Sequence, residues 1–248
     1  MRGAPVPEVD TVEEARRVAT DTLDRGADGL KAYVFSPSGA PGSAVMRPEL
    51  IRAMVDVAHA RKKPVFAHPE NPKGLRAAVE GGVDVIAHAI EEGGPWDAAT
   101  VAALRRANVA LVPTLRLYAV GSLVKHKKSE AEAEGYVARC GVLEQVRDFS
   151  KAGGLVLFGT DVGFYDPLDM TGEYRLMSRA GLDWKAILAS LTTAPAERFA
   201  AAKKTGRVAP GYDADLVLLA GDPAEDVEAF AKVQLTIRKG KVVYEVAK

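Results

Sequence analysis

The chain has 248 residues, enough to bury one large domain or a main domain with a small appendage. Its 33 lysines and arginines balance 33 aspartates and glutamates. This excludes a global electrostatic pull toward nucleic acid or an anionic membrane and leaves a small-molecule ligand as the expected partner. The single cysteine, Cys140, excludes an internal disulfide, no apolar run approaches the ~20 residues of a membrane helix, and the opening MRGAPVPEVDTVEEA has no signal-peptide core. A cytoplasmic protein is the expectation.

From Thr11 to about Pro195 helical patterns alternate with short apolar runs, the grammar of βα units around a parallel sheet. The first predicted strand is Gly29 to Phe35 (GLKAYVF). The helix after it, Glu49 to Lys62, carries Leu50, Met54, Val57 and Ala58 on one stripe and Arg52, Asp56 and His59 on the other. Further strands follow at Pro64 to His68, Val83 to His88, Val109 to Thr114 and Leu155 to Asp161, each nearly continuously apolar, as strands covered on both faces are. Gly81-Gly82 and Gly153-Gly154 end helices just before strands. The polar stretch from Leu115 to about Glu130 is long for a connection and follows a strand. It reads either as a lid or specificity loop or as a solvated helix start. Cys140 is expected inside a helix as a small buried residue.

After about Thr205 the grammar changes to short alternating runs with a Lys-Gly turn and no long helix. The expected division is a β/α portion over 1–204 and a small β appendage over 205–248.

Two of the four histidines, His68 and His88, occupy the C-terminal ends of consecutive strands, the end that faces the ligand in parallel β/α architectures. Imidazole is the commonest metal-binding side chain, and zinc takes nitrogen ligands converging from different strands. A single histidine there would more often be a satisfied structural group. Asp161 closes an apolar run, where a carboxylate is costly to bury unless it faces a metal or a partner, or caps a helix. Lys31 places an ammonium within a strand expected to be buried, so it should pair, shift its pKa or be modified. Arg116, Tyr118 and Tyr165 follow strands at positions suited to substrate contact.

The order Lys31, His68, His88, Asp161 on four of five strands resembles the amidohydrolase superfamily, in particular its imidazolonepropionase-like and Xaa-Pro dipeptidase-like branch. GADGLKAYVF is similar to that branch's fourth barrel strand, FAHPEN and IAHAIEEG to the fifth and sixth, and FGTDVG to the eighth. The closing LTTAPAERF, GRVAPGYDADLVLLAGDP and IRKGKVVYE resemble the family's last helix and β-sandwich lobe. The resemblance implies an α/β fold made of part of a TIM-type (β/α)8 barrel, strands four to eight, with a small C-terminal β-sandwich lobe. It implies one or two Zn2+ ions, or another divalent metal, held by Lys31 as an N6-carboxylated bridge, by His68 and His88, and by Asp161. It implies hydrolysis of amide, peptide or cyclic amide C–N bonds by a metal-activated hydroxide, with Asp161 as the catalytic proton shuttle and a small amide or dipeptide-like molecule as substrate.

The sequence also departs from the family. No His-x-His pair of a first strand is present; His59 faces away from the core on its helix and His126 lies in a charged stretch. Ala87 and Ala89 flank His88 where many relatives have Glu-His-Gly, and Pro69 follows His68. An incomplete gene, assembly with a separate N-terminal fragment, or a rearranged barrel would each account for the missing strands. Open sheet edges favour a homo-oligomer or a domain-swapped assembly. Two alternatives stand beside the hydrolase: a catalytically impaired barrel fragment that binds metal or ligand only, and a metal-independent barrel that uses Lys31 as an amine.

Overall fold

A computed structural model of the protein describes residues 6–35, 45–126, 129–163 and 169–246. The elements run in chain order as α1 (Val12–Asp24), β1 (Leu30–Tyr33), α2 (Pro48–Ala60), β2 (Val65–His68), α3 (Pro72–Gly81), β3 (Val85–Ala87), α4 (Ala98–Arg106) and β4 (Ala110–Val112). Then come α5 (Leu115–His126), α6 (Glu130–Val137), α7 (Val142–Lys151), β5 (Leu155–Val156), α8 (Thr171–Arg179), α9 (Trp184–Leu191), α10 (Thr193–Arg198), β6 (Leu216–Leu219), a 3-10 turn Val227–Ala231, β7 (Val233–Arg238) and β8 (Lys241–Glu245). They group into two compact units, 1–112 with 140–154, and 113–139 with 155–248. All five strands expected of the βα portion are present.

In the first unit local chemistry sets the helix boundaries. Thr11 and Glu14 close α1 with a reciprocal capping box, Asn71 and Asp97 accept from backbone N–H groups at the starts of α3 and α4, and Gly82, at φ 86°, ends α3 in the left-handed conformation. The α2 stripe buries Leu50, Ile51, Ala53, Met54, Val55 and Ala58; Arg52, Asp56 and His59 stay exposed, as the periodicity predicts, while Val57, expected in the stripe, is half-buried. His59 Nε2 lies 2.9 Å from Asp84 Oδ2 on that outer side.

Strands β1 to β4 pair in parallel in chain order, with Tyr33 opposite His68, Phe66 opposite Val85 and Ala87 opposite Val112. Each strand is shorter than its apolar run. The ladder stops after Ala87 because His88 turns to φ 74°, and Thr114, beyond β4, has φ 48°. Just past the end of β1, Met46 N–H donates to Val34 O and Phe35 bridges antiparallel to Val45.

In the second unit the described residues of the stretch expected to be either a lid or specificity loop or a solvated helix start are helical, with α5 over Leu115–His126 and α6 opening at Glu130. The side chain of His126, at the end of α5, lies outside the described residues. Strand β5 spans two residues where a run to Asp161 was expected; beyond it Phe158 N–H donates to Ser190 O, so its backbone is satisfied by a helix rather than by a ladder. β6, β7 and β8 form an antiparallel sheet, and Lys239 and Gly240, both at positive φ, make the tight turn between β7 and β8. Cys140, which belongs to the first unit, is half-buried in the bend before α7 rather than inside a helix, because Ala138 ends α6 and Gly141 starts α7. Among the described residues no helix is long and apolar enough to cross a membrane.

Candidate metal centre

Parallel pairing of β2 with β3 brings the ends of these strands side by side, and the two histidine rings meet there with centroids 4.2 Å apart at 64°. His88 is 3% exposed, and His68 Nδ1 and His88 Nε2 are both sealed from solvent. An aromatic wall backs them: Tyr33 and Phe35 lie 5.4 and 5.0 Å from the His68 ring. Burial, reinforced by the positive charge of Lys31, pulls the His88 pKa down to about 4. His88 is therefore neutral at neutral pH, the form that ligates a metal.

Lys31 differs from its sequence reading. It is exposed rather than buried, because alternation along β1 points it to the opposite face from the buried Leu30 and Ala32. Its ammonium sits 5.4 Å from the Tyr33 ring centroid. A cavity of about 470 Å³ borders Lys31 and Tyr33 and is lined also by Val9, Met46 and Leu50.

His88 owes its place to backbone contacts that the sequence did not reveal. Its N–H donates to Val112 O at 2.8 Å. The two residues after it, Ala89 and Ile90, are each 1% exposed yet outside the ladder. Buried Gln145 of α7 serves that segment: its Oε1 accepts from Ile90 N–H at 2.8 Å, and its Nε2 donates to Ile90 O and Gly94 O, both at 2.6 Å. The available signal was a glutamine within the stripe Val142, Val146, Phe149.

The second unit holds Asp161, Arg116 and Tyr118. Asp161 is half-buried at φ 56°, an uncommon conformation for a residue other than glycine. Arg116 pairs with Glu130 through both terminal guanidinium nitrogens, and Tyr118 is half-buried on α5. Tyr165 lies outside the described residues. Sequence reading missed Glu173 of α8, which is fully buried and accepts from Leu115 N–H at 2.9 Å and Arg116 N–H at 2.6 Å, capping α5. Burial pushes its pKa up to about 7, against the lowering effect of those two N–H groups and the Arg116 charge.

Among the described residues no group of three or more His, Cys, Asp and Glu side chains is assembled to hold a metal. The donors that do converge, two imidazoles of which His88 is held neutral, suit a borderline-soft divalent cation in kind and supply part of a ligand set.

The succession of βα units around a parallel sheet, followed by a small antiparallel sheet, defines an α/β fold of hydrolase type, and the chain belongs to the amidohydrolase family, whose sequence profile matches residues 2–243. It is 27% identical over 236 residues to an ochratoxinase from Aspergillus niger, covering 91% of this chain and 48% of the fungal protein. Among solved structures it resembles a Xaa-Pro dipeptidase with bound methionine, with a TM-score of 0.81 at 24% identity over 96% of this chain and 59% of that one. It also resembles a prolidase complexed with N-methylphosphonate-L-proline, with a TM-score of 0.79 at 28% identity over 96% of this chain and 60% of that one. The chain thus spans about half the length of the fungal relative and three fifths of the two structures. The fold is accordingly part of a TIM-type barrel with a small β lobe.

Proposed function

We propose that the protein is a metal-dependent hydrolase of amide or peptide C–N bonds. The observation that carries this reading is the meeting of His68 and His88 at the ends of adjacent parallel strands, with His88 kept neutral. Family membership supports the hydrolytic class, and the names of the relatives, an ochratoxinase, a Xaa-Pro dipeptidase and a prolidase, support a small amide or dipeptide-like substrate.

His68 and His88 would hold the ion, zinc by the chemistry of the donors. Lys31 would join them only as a carbamate, since its ammonium repels a cation, and its exposed amine is accessible for that modification. A divalent metal there would supply Lewis acidity toward a carbonyl oxygen and lower the pKa of water. Asp161 is the group for proton transfer, taking a proton from the attacking water and passing it to the leaving nitrogen. Arg116, Tyr118 and Tyr165 are proposed as substrate contacts, Arg116 after exchanging its partner Glu130. Residues 205–248 are read as half of a composite β-sandwich. The exposed Val217, Val242, Val243 and Tyr244 of its sheet support association into an oligomer.

The test joins elemental analysis with hydrolysis of an amide, lactam and dipeptide panel. Zinc near one equivalent or more is expected, with activity falling at least a hundredfold in Asp161→Asn while metal content holds. A folded protein that takes up no metal on zinc titration would overturn the reading. One observation favours a second reading, a fragment that binds metal without turnover: no complete cluster of three ligands is assembled among the described residues. Bound metal with no hydrolysis across the panel would select it.

A further inference from the structure

Strand β3 ends at Ala87, yet the chain stays buried through Ile90. A buried segment outside a ladder leaves N–H and C=O groups that must find partners. For Ile90 one side chain supplies both. Gln145 occupies both the N–H and the C=O of Ile90, as a neighbouring strand would, and takes Gly94 O with its second amide proton. All three of these bonds lie within hydrogen-bond range, from a side chain with 0% exposure.

The rest of α7 makes the same contact in depth. Gly141, Gln145 and Phe149 are four residues apart and share one face of the helix. Gly141 sits so close to the Gly94-Pro95 backbone that a Cβ there would come within 2.6 Å of Gly94 C. Phe149 meets the edge of Trp96 with ring centroids 6.3 Å apart. The segment from Ala89 to Trp96 is therefore pinned at three heights along α7. At its head stands His88, whose backbone has a conformation that a side chain rarely adopts and that persists only where surroundings impose it.

We propose that Gln145 is a positioning residue for His88: by binding both backbone groups of Ile90 it imposes the left-handed turn that aims the His88 ring at His68. An apolar side chain of the same length would leave the two buried backbone groups of Ile90, and the half-buried carbonyl of Gly94, to seek other partners. The turn at His88 would then relax toward an extended conformation, and the ring would swing away from its neighbour.

The zinc part of the test rests on the proposed function, so a second measurement is chosen that does not. In the isotope-labelled full chain, the Cα and Cβ shifts of His88 report its φ, and amide exchange reports the Ile90 bond. Wild type should show the left-handed signature at His88 and slow exchange at Ile90. Gln145→Met should lose the signature, raise the Ile90 exchange rate at least tenfold and weaken zinc binding about tenfold or more, in the range that loss of a ligand's supporting contact produces. Val55→Ala, which opens a space on α2 away from this segment, is the control; it should lower stability with all three readouts unchanged. If Gln145→Met does not fold, Gln145→Asn, which draws the amide back by one methylene, takes its place, and fast Ile90 exchange in wild type would itself overturn the proposal. Unchanged His88 shifts and Ile90 exchange in a folded variant overturn it outright. Should wild type bind no zinc, the metal reading falls while the shifts and exchange still decide the role of Gln145.

Discussion

Glu173 concentrates in one residue the conflict between burial and hydrogen bonding. Two backbone N–H groups favour its charged form, and complete removal from water favours the neutral one more strongly, which places its pKa at about 7. The unfolded chain holds this carboxyl near 4.5. Between those values the native state binds more protons than the unfolded state, so the stability contributed by neutral Glu173 is fully present below about pH 4.5 and is lost as pH rises through about 7. The full swing amounts to roughly 3 to 3.5 kcal/mol, about 2.5 pKa units at 1.36 kcal/mol each. Urea titrations at several pH values should show Glu173→Gln gaining on wild type across that window; a difference independent of pH would contradict the assignment.

Ion pairs link helix α6 to α5 and α8. Helix α6 buries only Ala133 and Val137, and its carboxylates face arginines on both sides. Glu130 meets Arg116 of α5, while Glu134 meets Arg175 at 2.5 Å and Arg179 at 2.9 Å, both on α8. Arg175 also donates to Glu228 at 2.6 Å, and this shared guanidinium, its pKa raised by the two acids, ties the 3-10 turn Val227–Ala231 into the network. Glu134 is mostly buried, so deleting its charge leaves two arginines facing each other. Glu134→Gln should cost about 1–3 kcal/mol at low salt, above the usual value of an exposed pair, and the loss should shrink in 1 M NaCl. Thermal unfolding at two ionic strengths checks both parts. This helical character was undecided in the sequence because VKHKKSEAEAEG has almost no apolar periodicity; capping by Ser129 with Glu132 and long-range ion pairs settle it.

For the whole molecule, a ligand that binds only the folded chain raises its stability by mass action, by about 2.7 kcal/mol at a hundred times Kd. If His68 and His88 hold zinc, the midpoint of thermal unfolding should climb with free zinc, return on chelation, and respond little in His88→Ala. An unaltered midpoint across the titration in wild type would count against the site. The gain should also decline in acid, since protonated imidazoles do not ligate.

The sequence by itself determined the βα rhythm, the outward face of α2, the Lys-Gly turn of the terminal sheet and the placement of His68 and His88 at consecutive strand ends. Each of these rests on periodicity, turn chemistry or spacing, which are local properties. Lys31 shows where that reading stopped: an apolar run suggested burial on both faces, but burial depends on what covers a face, and only the tertiary structure decides that. Gln145 and Glu173 lay beyond reach for the same reason. A glutamine that serves Ile90 55 residues away, and a glutamate that caps a helix 57 residues earlier, are ordinary polar letters until the fold brings them to the backbone groups they satisfy.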